Sequence, residues 1–184
     1  MRAALVRAQC YSHAAIAFHW VIAALIVANL ALGLLHDSLL DGLGWVTPLH
    51  KSFGLTVIAL TLGRIGWRVA YRPPPLPPSM KLWERGAAQT MHILLYGFML
   101  ALPITGWMLA SGSHKHPTRW FGLFQVPFLP VSEATADQAY SAHVALAWTL
   151  IGLLVIHVAA ALRHHLLLRD GVLARMIPAF LRRA

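Results

Sequence analysis

His143 and His157 stand fourteen positions apart inside one apolar segment, residues 139–162. Fourteen helical steps return to within about 40° of the starting direction, so both imidazoles leave one face, roughly 21 Å apart along the axis. Polar side chains inside a membrane span carry function by default. A neutral imidazole at each of two fixed depths suits axial ligation of two haem irons. That chemistry requires two partner histidines at the same two depths.

The elements that position them follow from composition. The chain has 184 residues, 58% hydrophobic and 11% charged, with seven tryptophans and a mean hydropathy of +0.63. These values define an integral membrane protein. Four stretches approach the apolar length of about 20 residues that a crossing needs, at approximately 14–35, 50–68, 90–110 and 139–162. The second is the shortest, its uninterrupted apolar core covering only 53–63 between His50, Lys51 and Arg64, Arg68. The expected fold is all-α, a single four-helix membrane bundle over residues 1–184.

Positive charge sets the expected orientation. Arg2 and Arg7 precede the first span; Arg64, Arg68, Arg72, Lys81 and Arg85 surround the second connection; Arg163, Arg169, Arg175, Arg182 and Arg183 follow the last. Only Lys51, Lys115 and Arg119 lie on the other side. Lysine and arginine accumulate in cytoplasmic loops, so both termini are expected in the cytoplasm. The net charge of +9 is then largely topological and meets anionic lipid; with no soluble domain to organise it, nucleic acid is not an expected partner. The first apolar run is too long for a signal peptide and lacks a convincing cleavage site, which makes it a retained span.

The proline run within 72–79 cannot hold a helix and reads as a stiff connector. The long third connection, 111–138, carries His114, Lys115, His116, Arg119 and the aromatics Trp120, Phe121, Phe124 and Phe128. It reads as an interfacial segment, with a lid over the nearer cofactor as the functional alternative. Cys10 is the sole cysteine and there is no Cys-x-x-Cys-His. Disulfides within the chain, covalent haem and cysteine-held iron–sulfur clusters are thereby excluded, leaving noncovalent haem b.

Depth then sorts the histidines. His19 lies about a turn inside the first span, His50 opens the second, His143 begins the fourth on the outer side and His157 nears its inner end. The pairs are His50 with His143 outside and His19 with His157 inside. His92 starts the third span at the inner depth and competes with His19; spacing does not choose between them. His13, His36, His114, His116, His164 and His165 fall at or beyond the interfaces, where solvated or lipid-facing roles are the default. Gly54 and several alanines leave room for a flat ring, although small residues also serve ordinary helix packing.

Taken together, these residues resemble the bacterial cytochrome b561 family of four-helix dihaem membrane cytochromes, in its superoxide oxidase-like form. The resemblance covers nearly the whole chain. It rests on His19-Trp20, His50, Arg64, the proline-rich connector, His92 with Tyr96 and Leu102-Pro103, the outer segment Trp120-Phe121-Gly122-Leu123-Phe124, and His143 followed by His157 and His164-His165. It implies that His19, His50, His143 and His157 ligate two b haems, and that His164 lies near a quinone. It further implies electron transfer to ubiquinone in the bacterial inner membrane, with superoxide at the outer face as the donor in one branch of the family; Lys51 and Arg119 are the candidate residues to attract that anion here. The alternative is a cytochrome b anchor subunit carrying electrons for a peripheral dehydrogenase or hydrogenase.

Overall fold

A backbone in hydrocarbon must satisfy its own hydrogen bonds, and apolar runs of this length do so as helices. The computed structural model describes residues 10–112 and 117–178. Arg2, Arg7, His114, Lys115, His116, Arg182 and Arg183 lie outside the described residues. Among the described residues four α-helices carry the fold: α1 (His13–Leu35), α2 (Val46–Ala70), α3 (Leu82–Gly112) and α4 (Glu133–Arg163). All four are long and apolar enough to cross a membrane, and each packs on the next in sequence. The protein is a membrane helical bundle.

The helices outrun the apolar stretches read from sequence, α2 starting at Val46, α3 at Leu82 and α4 at Glu133. Hydropathy marks only the part in hydrocarbon, whereas a helix continues through the headgroup layer wherever its ends are capped. Ser12 caps α1 by accepting from Ala15 N–H, and Ser132 caps α4 by accepting from Thr135 N–H, each satisfying a donor that has no intrahelical partner. Pro103 sits inside α3 without ending it, as membrane helices allow. Val27, Ile93, Trp148 and Val155 point outward and are exposed. In lipid such a surface costs nothing, while in water it would drive association.

Midway along the bundle Ile22, Ile26, Val57, Leu95, Met99 and Leu150 form the apolar core. Leu150 is seven residues from both His143 and His157, so the core separates the two histidine depths. At the inner end the proline connector offers carbonyls without matching donors. Arg85 takes those of Pro78 and Met80, and Arg175 takes that of Pro75 at 2.7 Å. Trp20 Nε1–H donates to Met176 O at 2.8 Å, fastening the segment after α4 onto α1.

At the outer end a short hairpin pairs β1 (Arg119–Trp120) with β2 (Phe124–Gln125). Phe121 and Gly122 reverse the chain at φ 46° and 76°, the left-handed geometry of tight hairpins that glycine adopts without strain. The hairpin is strapped to α2, with Phe121 N–H donating to Ser52 Oγ and Trp120 Nε1–H to Thr56 Oγ1, both at 3.0 Å. This hairpin of the long connection is thus bound to α2 within two turns of His50.

Candidate functional site

The structure brings the expected histidines together in two pairs. The His50 and His143 ring centres are 6.1 Å apart with planes at 77°, and those of His19 and His157 are 6.4 Å apart at 68°. His92 also approaches His157, with ring centres 5.8 Å apart. All five rings are half-buried. Neither α1 with α4 nor α2 with α4 is among the closely packed helix pairs, so each histidine pair bridges a gap between backbones.

Backbone carbonyls orient the outer pair. His50 Nδ1 is 3.1 Å from Asn29 O, and His143 Nδ1 is 3.0 Å from Leu102 O. A carbonyl only accepts, so in each ring Nδ1 carries the proton and the Nε2 lone pair is left for a metal. Thr105 Oγ1 lies 3.1 Å from His143 Nδ1 and donates to Leu102 O at 2.7 Å, completing the support that ligating histidines require. Leu102 and Asn29 serve through main-chain oxygens.

Two glycines clear space beside these rings. A Cβ on Gly33 would lie 3.1 Å from His50 Cε1, and one on Gly106 would lie 3.0 Å from His143 Cε1. Gly33, Gly106, Gly54, Ala147 and both histidines line a cavity of about 650 Å³, within the size range of small-molecule sites. Lys51 also lines it, whereas Arg119 is exposed on β1. Gly106→Ala is expected to displace the His143 ring and shift the absorption and stability of the outer group while leaving the inner one unchanged; matched difference spectra check this, and equal changes in both would contradict it.

Among the described residues no three histidine, cysteine or acidic side chains converge on one point. Pairs suffice for a metal whose other donors come from a planar macrocycle. An axial iron–imidazole bond near the usual metal–imidazole length of about 2.0 Å puts two opposed ring centres roughly 6 Å apart. The paired separations, the open gaps and the glycine-cleared cavity fit a haem.

His164, expected at an interface, is instead buried with 8% relative exposure. It opens a π-helical turn, His164–Leu168, that continues α4 and closes at Arg169 with φ 49°. Its Nδ1 is hydrogen-bonded to the Asp170 carboxylate, whose other oxygen accepts from Val172 N–H. Beside it Arg163 donates to Glu84 at 3.1 Å. Asp170 carries no sequence signal, because its contact depends on the π turn.

A membrane bundle with paired interior histidines at two depths has the architecture of a b-type cytochrome. The model of the prokaryotic cytochrome b561 family matches residues 10–179, and the chain belongs to that family. It is 37% identical over 165 residues to cytochrome b561 homolog 2 of Escherichia coli K12, covering 88% of this chain and 87% of that protein. It is 29% identical over 171 residues to the probable superoxide oxidase CybB of Yersinia pestis, with 91% and 96% covered. Cytochrome b562 of Cereibacter sphaeroides is 30% identical over 178 residues, with 91% and 94% covered. The chain is therefore a multi-pass bacterial membrane protein of electron transfer, in a family that binds haem b.

Proposed function

We propose that the chain carries electrons across the bacterial inner membrane, from a one-electron donor at the periplasmic face to ubiquinone at the cytoplasmic face, with both termini in the cytoplasm. The observation that carries this reading is the pair of histidine pairs, at 6.1 and 6.4 Å, on either side of one apolar core. His50 with His143, and His19 with His157, would hold two b haems, and bound there haem supplies reversible one-electron transfer at each depth. An iron held by an imidazole from each side would have no open position, which favours electron transfer over oxygen binding at the metal.

The remaining work falls to the chain. Asn29 O and Leu102 O fix the outer imidazoles in the tautomer whose Nε2 faces the gap. The apolar core keeps water from joining the two depths. The concentration of arginine at one end supports the orientation, since positive charge marks the cytoplasmic side.

Superoxide is the donor this reading favours, on the likeness to the Yersinia protein. Two superoxide anions each give up one electron and become dioxygen, and one ubiquinone takes both electrons and two protons to become ubiquinol. Lys51, in the wall of the outer cavity, and Arg119, on the hairpin, attract the anion. His164 hands protons to the quinone from the cytoplasmic side, its ring held by Asp170 through Nδ1 so that Nε2 is the exchanging nitrogen.

Purified protein in liposomes with ubiquinone is expected to form ubiquinol when superoxide is generated outside. His164→Phe is expected to slow this at least about a hundredfold, the lower end of the usual range for loss of a proton-transfer group, with the haem spectrum retained. No superoxide-dependent ubiquinol, together with a large redox enzyme co-purifying from native membranes, would contradict the reading in favour of an anchor subunit.

A further inference from the structure

Each helix of the bundle bears a pair of residues fourteen positions apart: His19 and Gly33 on α1, His50 and Arg64 on α2, His92 and Gly106 on α3, His143 and His157 on α4. That spacing keeps both members on one face at two depths. The outer layer is then two histidines and two glycines. The inner layer is His19, His92, His157 and a guanidinium, and Arg64 exerts its charge on all three of these imidazoles.

Arg64 is half-buried, its Cζ 5.4 Å over the Tyr96 ring. An arginine inside a span is costly unless an anion or water meets it, and a guanidinium has five donors to place. Among the described residues the protein supplies it no carboxylate. It has only six acidic residues. Asp37, Asp41, Glu133 and Asp137 belong to the outer ends of the helices. Glu84 is engaged by Arg163 and by Lys81 N–H, and Asp170 by His164 and Val172 N–H. Among the described residues the charged and titratable groups around Arg64 are Arg68 on its own helix, Tyr11, Tyr96 and the three histidines, none of them a carboxylic acid.

Haem b brings two carboxylates of its own. We propose that Arg64 is the counter-charge of a carboxylate on the inner haem and anchors that haem in the gap between His19 and His157. The inference rests on the reading that a haem sits there. Arg64 is a positioning residue for the bound group, and the outer layer, whose two non-histidine members are glycines, would hold its haem by a different edge contact.

The test is a binding cycle that reads retention. Wild type, Arg64→Gln and Arg64→Lys are each loaded with haem or with haem dimethyl ester, whose carboxylates are blocked, and the rate of haem loss to a scavenging apoprotein is followed. The phase missing from a His157→Ala chain is the inner one. Arg64→Gln is expected to speed inner loss of natural haem about tenfold, as loss of a charge-assisted hydrogen bond does, to leave loss of the ester unchanged, and Arg64→Lys is expected to stay close to wild type. In wild type alone the ester is expected to leave the inner site about tenfold faster than haem, which tests the pairing even where Arg64→Gln does not fold.

Equal acceleration of both pigments by Arg64→Gln would assign the guanidinium to a lipid phosphate or to helix packing and overturn the proposal. Equal loss of haem and ester from wild type would overturn it as well. If His157→Ala removes no phase, the inner site itself is wrong and this inference falls with it; two phases that both ignore Arg64 overturn the inference and leave the site standing.

Discussion

A His157→Ala chain is expected to purify with one b haem instead of the two proposed, its remaining spectrum that of the outer site, and a His143→Ala chain is expected to keep only the inner haem. The apolar core of Ile22, Ile26, Val57, Leu95, Met99 and Leu150 separates the depths, so loss of one ligand is not transmitted to the other pair. With one of the two imidazoles removed, a noncovalent haem would be held from one side only and would be lost through purification. The same logic separates His19 from His92, which both approach the His157 ring, at 6.4 and 5.8 Å. His19→Ala is expected to empty the inner site, while His92→Ala keeps both haems. The haem-to-protein ratio decides each case. Loss of both haems in His157→Ala would contradict assignment by depth, and loss of the inner haem in His92→Ala alone would move the inner ligand to α3.

The second large effect is on the bundle itself. A Cβ on Gly112 would lie 2.2 Å from the Ala136 Cβ and 3.6 Å from Ser132 O, where α3 ends against the start of α4. No rotamer relieves that overlap, because both atoms are fixed to backbones. Gly112→Ala must therefore push the two helices apart, at a cost typical of overpacking, about 1–3 kcal/mol. The detergent-solubilised variant is expected to lose monodispersity several degrees below wild type, and adding Ala136→Gly is expected to restore it, since the two substitutions share one contact. A Gly112→Ala chain as heat-stable as wild type would mean the helices do not meet there.

Much of the candidate site could be read from the sequence because its signal is periodic. Four histidines in three apolar stretches fix two depths by counting residues, and in the structure His50 lies beside His143 while both His19 and His92 approach His157. The fourteen-residue interval extends further than the histidines: Gly33 follows His19, and Gly106 follows His92, by the same step, so a search for what faces each imidazole at the other depth would have found both glycines. Gly54, singled out for its place one turn after His50, lines the cavity, but a Cβ there meets only ordinary contacts at 3.7 Å.

Other parts leave no trace in residue identity. Asn29 O and Leu102 O are main-chain acceptors selected by how α1 and α3 lie against their neighbours. The burial of His164 depends on a π turn and a left-handed Arg169, which carry its ring onto Asp170 six residues on; the hydropathy pattern puts it simply past the end of a span. The outer hairpin depends on Ser52 and Thr56 of α2, residues that read as unremarkable polar positions in a short apolar stretch.

The measurement that bears most directly on the account is the haem-to-protein ratio of the detergent-purified chain, taken with a reduced-minus-oxidised spectrum. The account predicts two low-spin b haems per chain. One haem would contradict the pairing at one of the two depths, and none from haem-replete cells would contradict the electron-transfer function.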